Sequence, residues 1–173
     1  MGNIVFYIGG NAGDTSQIAI ERFEEMDKVE YLSAGDIRPE AFKNIMFMEC
    51  CGLGEWHIRR YYDPLINEID TGNCRYYIFD SISDYVKRFI DLDGCNMNVE
   101  SYTDMINENL EWLIDKVKES DSTLILLSDE AGTHPYDKKH NFIQSVIFEV
   151  NRNIISRADE ILSFEDGQME QIK

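Results

Sequence analysis

Short apolar runs alternate with glycine or polar breaks and with stretches of helical spacing. Ile4 to Ile8 is an apolar run closed by Gly9-Gly10, the pattern of a strand buried on both faces of a parallel sheet. A helix is expected to open at Thr15 or Ser16, either hydroxyl serving as its cap, with Ile18, Ala19, Phe23 and Met26 facing inward. Val29 to Leu32 predicts a second strand and Ser33 to Asp36 the turn leaving it. Ile37 to Gly54 carries no clear period apart from a helix start around Pro39. Trp56 to Ile69 reads as a helix presenting Trp56, Tyr61 or Tyr62, Leu65 and Ile69 on one side, shortened or kinked by Pro64.

The second half is more regular. Tyr76 to Asp80 predicts a strand with a carboxylate at its end, followed by a helix beginning near Ser83. Val99, Tyr102, Ile106, Leu110, Leu113 and Val117 repeat at helical spacing. Leu124 to Ser128 has the continuous apolar character of a central parallel strand, and Asp129 to Gly132 forms an acidic turn after it. A helix follows from about Lys139 to Arg157, with Ile143, Val146, Ile147, Val150 and Ile154 inward. Glu160 to Phe164, a turn at Asp166-Gly167 and Gln168 to Ile172 make a closing hairpin. Alternating strands and helices ending in a hairpin predict a three-layer α/β fold with a mostly parallel sheet.

The chain has 173 residues, a length suited to one domain spanning residues 1–173. Its 33 acidic and 16 basic side chains give a formal charge of -17, which argues against nucleic acid or an anionic membrane as partner. Cys50, Cys51, Cys74 and Cys95 are too few, and two of them too close together, for a disulfide framework. Neither a basic-apolar leader nor an apolar run of the ~20 residues that span a bilayer is seen. These features predict a cytoplasmic protein.

The candidate chemistry lies at the strand ends. The order of strand, glycine turn and capped helix is the context of a phosphate-binding loop. Against the pattern G-x-x-x-x-G-K-[ST], Gly9 and Ser16 hold the first and last places, while Asp14 stands for the second glycine and Thr15 for the lysine. The expected nucleotide-binding stretch is Gly9, Gly10, Asn11, Ala12, Gly13, Asp14, Thr15 and Ser16. Asp80, at the end of its strand, has two readings: a ligand for a metal ion or water near bound phosphates, or the N-cap of the next helix. His57 likewise reads as a nucleophile or as a surface residue. His134 and His140 flank the loop after Ser128. The adjacent cysteines lack the spacing of a zinc site, and no G-x-S-x-G elbow is present.

Several of these segments, in order, resemble the adenosylcobinamide kinase / adenosylcobinamide-phosphate guanylyltransferase family of cobalamin biosynthesis. Gly9-Gly10 through Ser16-Gln17-Ile18-Ala19 resembles that family's Gly-Gly-x-x-Ser-Gly-Lys-Ser loop, and Ile78 to Ser83 its Leu-Leu-Asp-Cys-Leu-Thr segment. Leu127 to Gly132 is similar to its Ser-Asn-Glu-Val-Gly motif, with Pro135 for the proline a few residues on. Val150-Asn151-Arg152 and Ala158-Asp159-Glu160 are similar to its Val-Asn-Gln and Ala-Asp-Glu-Val.

The resemblance implies a P-loop NTPase-type fold binding GTP or ATP with magnesium, a corrinoid substrate and a homotrimer. It places the metal at Ser16 and Asp80 and a substrate loop at Glu130 and Gly132. The active-site motifs are degenerate. The lysine is missing, with Arg22, Arg59, Arg60, Lys138 and Lys139 as candidate replacements, and no histidine precedes Trp56 where the family's guanylylated one lies. The expectation is therefore a family-like nucleotide-binding protein with impaired or lost transferase activity. The alternative is a non-catalytic ligand-binding or regulatory protein derived from the family.

Overall fold

The computed structural model describes residues 1–9, 12–22, 28–34, 39, 41–43, 45–46, 56–60, 74–129, 138–165 and 168–173. In order, the chain forms β1 (Asn3–Ile8), α1 (Ala12–Arg22), β2 (Val29–Ser33), β3 (Trp56–Arg60) and β4 (Tyr76–Asp80). Then come α2 (Ile82–Asp93), α3 (Val99–Lys118), β5 (Thr123–Ser128), α4 (Lys138–Arg157), β6 (Glu160–Glu165) and β7 (Gln168–Gln171). Residues 39, 41–43 and 45–46 are also helical, in line with the helix start expected near Pro39.

The strands make one seven-stranded sheet in the order β3-β2-β4-β5-β1-β6-β7, parallel throughout except for the closing β6-β7 hairpin. The apolar runs explain which strands sit centrally. Along β1, Ile4 and Phe6 face a core completed by α2, α3 and α4, while Val5 and Tyr7 face a second core completed by α1 and residues 41 and 45. Both faces are covered, so no polar alternation is needed. The α/β class, the mostly parallel sheet and the C-terminal hairpin all agree with the sequence pattern.

The long helices also match their periodicity. Tyr102, Ile106, Leu110, Leu113 and Val117 are buried on α3, and Ile143, Val146, Ile147, Val150 and Ile154 on α4. An edge-to-face series from Phe79 through Tyr85, Phe89 and Tyr102 to Phe142 ties α2, α3 and α4 together over β4.

Four expectations are corrected. Residues 56–60 are not the start of a helix but strand β3, paired in parallel with β2 from Val29↔Trp56 to Ser33↔Arg60. Trp56 is buried, His57 exposed and Ile58 half-buried, a period of two that an edge strand with a single backbone partner requires. Tyr61 to Ile69 lie outside the described residues. Helix α1 opens at Ala12 rather than at Thr15 or Ser16, and its buried face is Thr15, Ser16, Ala19 and Ile20, with Ile18 only half-buried. Phe23 and Met26 lie outside the described residues. Asp80 is not the cap of α2: Ser81 is, its side chain accepting from the Asp84 N–H at 3.2 Å, and Gly94 closes that helix at φ 71°. Ser33 ends β2 instead of opening a turn, and Gly35 and Asp36 are outside the described residues.

Candidate functional site

In an open parallel sheet, ligands bind beyond the C-terminal strand ends where neighbouring strands send their connections to opposite faces. One such pair is β1 and β5, which pair up to Ile8↔Ser128. Helix α1, which follows β1, packs on one face, and α4, which follows β5, on the other. The C-terminal ends of the strands, where such a crevice lies, carry two buried polar clusters, one on each face of the sheet.

The cluster on the α1 side centres on Asp80. Tyr77 and Phe79 point to the opposite face, so the pleat turns Asp80 toward α1. The Ser16 hydroxyl donates to Asp80 Oδ2 at 2.6 Å, joining residues 64 apart in sequence, and the Tyr31 hydroxyl from β2 donates to the same oxygen. Asp80 is only 4 % exposed. Two hydroxyl donors offset the hydration it has lost. The peptide bond between Asp80 and Ser81 is cis. Ser16 and Asp80, paired as candidate metal ligands from the sequence, are thus brought together. Tyr31 was not foreseen, because a tyrosine in an apolar strand reads as core.

The loop before α1 is short. Between Ile8 and Ala12 lie only residues 9–11, so Ala12 to Thr15 are helical rather than loop. Thr15, at the expected lysine position, is 1 % exposed and belongs to the buried face of α1. Gly10 and Asn11 are outside the described residues. Gly9 has φ 110°, and a Cβ there would stand 2.6 Å from the Phe164 carbonyl oxygen. Its N–H donates to the Ser128 carbonyl at 3.3 Å. Gly9→Ala is expected to lower stability by about 2 kcal/mol, from the left-handed backbone and the backbone clash. Urea denaturation checks this by a lower midpoint at unchanged slope.

The cluster on the α4 side holds the end of β5. Ser128 Oγ donates to Asn151 Oδ1 at 2.8 Å and lies 3.3 Å from Ser83 Oγ. The Asp129 N–H donates to Ser83 Oγ at 3.0 Å, and Asn151 Nδ2 donates to the Asp129 carbonyl at 3.4 Å. Ser83, Ser128 and Asn151 are all buried. The one sequence sign of this cluster was a polar Asn151 on the otherwise apolar inner stripe of α4. Glu130 and Gly132, the expected substrate loop, and His134 and Pro135, which continue the chain after it, lie outside the described residues.

The other candidates are scattered. His57 is exposed on β3, level with Glu30 and Tyr77, whereas Arg60, Ser33 and Asp80 share the C-terminal edge. Three residues along a strand separate it from that edge by roughly 10 Å. The position does not suit a nucleophile acting there. His140 lies in the first turn of α4, its Nε2 3.3 Å from Gln144 Nε2. Arg22 donates to the Tyr7 hydroxyl at 2.8 Å and to Glu160 at 3.2 Å, toward the starting end of β6. Burial raises the Tyr7 phenol above its ordinary value, with the Arg22 hydrogen bond acting the other way, so the hydroxyl stays neutral. Lys139 pairs with Asp91 at 2.8 Å. Lys138 opens α4, and the side chains of Arg59 and Arg60 lie outside the described part. Cys74 is buried and Cys95 exposed, neither in a disulfide; Cys50 and Cys51 are outside the described residues.

Among the described residues no group of three or more His, Cys, Asp or Glu side chains is placed to hold a metal. The hydroxyl and carboxylate oxygens of Ser16 and Asp80 are hard donors of the type magnesium takes when phosphates and waters complete its shell. No described helix is long and apolar enough to cross a membrane. Comparison with protein-family models and with curated proteins finds no match.

Proposed function

We propose that the chain is a nucleotide-binding protein of P-loop type, similar to the adenosylcobinamide kinase / adenosylcobinamide-phosphate guanylyltransferases, with impaired transfer chemistry. The observation that carries this reading is the Ser16-Asp80 hydrogen bond at 2.6 Å, which links the helix after the glycine turn to the carboxylate ending β4. In this reading Ser16 and Asp80 would hold magnesium beside the phosphates of GTP or ATP. Gly9 lets the chain turn beside β6, and the Ser128-Asp129 segment leads into the loop for the phosphate acceptor, a corrinoid by the resemblance. Magnesium would supply charge neutralisation at the phosphates. A homotrimeric assembly belongs to the same reading and rests on the resemblance.

Non-catalytic binding is favoured over turnover by two observations. The lysine position holds a buried threonine, and the nearest histidine to the family's nucleophile, His57, is on an outer strand well below the crevice. Titration calorimetry with GTP and ATP, with and without magnesium, tests the proposal. Binding is expected only with magnesium and at roughly millimolar rather than micromolar affinity, about three decades weakened by the lost cation and added carboxylate. Asp80→Asn is expected to abolish the magnesium dependence. Absence of any nucleotide binding overturns the proposal. Transfer of label from GTP to the protein would overturn the non-catalytic preference alone.

A further inference from the structure

We propose that Tyr31 is a positioning residue for the divalent cation, acting through Asp80; this rests on the nucleotide-magnesium reading above. Tyr31 is fully buried on β2, the strand beside β4, and register places it level with Ile78, two residues before Asp80. From there its hydroxyl donates to Asp80 Oδ2, the same oxygen that receives the Ser16 proton.

The consequence is chemical. Each hydroxyl has one proton, and both protons are committed to one carboxylate oxygen. The Ser16 proton is therefore directed at the carboxylate. The carboxylate itself is held from two sides, by α1 and by β2, so its plane cannot rotate without breaking a hydrogen bond. Partners of this kind, which orient a ligand without touching the metal, typically change metal affinity ten- to a hundred-fold. A tyrosine suits the task because its ring belongs to the buried cluster that includes Ala19, Ile20, Val29 and Ile78 while its hydroxyl bonds Asp80.

Tyr31→Phe removes only the hydroxyl and keeps the ring. Tyr77→Phe is the control: Tyr77 is also fully buried, but its hydroxyl accepts from the Cys74 N–H at 2.9 Å, at the starting end of β4. Manganese(II) affinity is measured by electron paramagnetic resonance with GTP present, and GTP affinity is measured separately at saturating magnesium. The expected result is a ten- to hundred-fold loss of manganese affinity in Tyr31→Phe, none in Tyr77→Phe, and equal GTP binding at saturating magnesium. In an Asp80→Asn background the Tyr31→Phe effect should vanish.

Equal manganese affinity in Tyr31→Phe and wild type overturns the role of Tyr31 and leaves the nucleotide reading standing. Equal losses in Tyr31→Phe and Tyr77→Phe overturn it too, as a general loss of packing. Wild-type protein that binds neither GTP nor manganese overturns both. If Tyr31→Phe does not fold, 3-fluorotyrosine at position 31 of the otherwise wild-type chain gives the second reading. Its fluorine resonance should broaden when manganese and GTP are added together, and an unchanged line overturns the proposal.

Discussion

Asp14→Gly combined with Thr15→Lys should raise the affinity for magnesium-GTP or magnesium-ATP by about a hundred- to a thousand-fold. Like charges at about 4 Å repel by about 4 kcal/mol at an effective dielectric near 20, roughly three decades in binding constant. Removing one negative charge and adding one positive charge reverses that term, and screening by salt reduces the gain. The backbone works in the same direction. Helix α1 opens at Ala12, leaving residues 9–11 as its only loop. Glycine in a helix costs about 1 kcal/mol relative to alanine, so glycine at position 14 favours a later helix start and a longer phosphate loop.

The same double variant carries a second expected sign. Thr15 is buried, so a lysine there loses hydration until a phosphate pairs with it. The ligand-free variant should melt below wild type, and saturating magnesium-GTP should raise its melting temperature by more than it raises that of wild type. Calorimetric titration and thermal melts of both proteins read the two effects. A variant with unchanged nucleotide affinity would show that the first turn of α1 does not meet the phosphates.

The parts of the fold that were legible share one cause. Strands β1, β4 and β5 are covered on both faces, so burial leaves an uninterrupted apolar run in the sequence. The stripes of α3 and α4 are equally direct, because each helix buries one face. Strand β3 was missed because a five-residue edge strand, Trp-His-Ile-Arg-Arg, has too few apolar positions to separate a period of two from a helical one. The start of α1 was misplaced for a different reason. A serine near a helix start reads as a cap, yet the Ser16 hydroxyl is taken by Asp80, a partner 64 residues away that no local rule includes. Ser16 was legible through the loop pattern and Asp80 as a carboxylate at a strand end, and the family resemblance joined them as a pair. Tyr31 and Ser83 were not legible as site residues, since their hydroxyls matter only once β2, β4, α2 and β5 converge.

Replacing Asn151 with leucine is expected to destabilise the protein by about 3 kcal/mol. The volume change is small, so the cost is polar rather than steric. Asn151 Oδ1 is the acceptor 2.8 Å from Ser128 Oγ, and Nδ2 is a donor to the Asp129 carbonyl. Removing one partner from a buried hydrogen bond costs about 1–3 kcal/mol for the group left behind, and two groups are affected here. Ser83→Ala removes the acceptor of the Asp129 N–H, from a different helix. Because Ser83, Ser128 and Asn151 share one network, the two substitutions should not add: the double variant should cost less than the sum by about 0.5–3 kcal/mol. Urea denaturation of the four proteins measures this. Hydrogen exchange at Asp129 adds a local reading: its amide should exchange much faster in Ser83→Ala, while amides in the middle of β5 follow the change in global stability. Additive costs, or an Asp129 amide that tracks global stability in every variant, would mean that the end of β5 is held by packing of the sheet and not by this network.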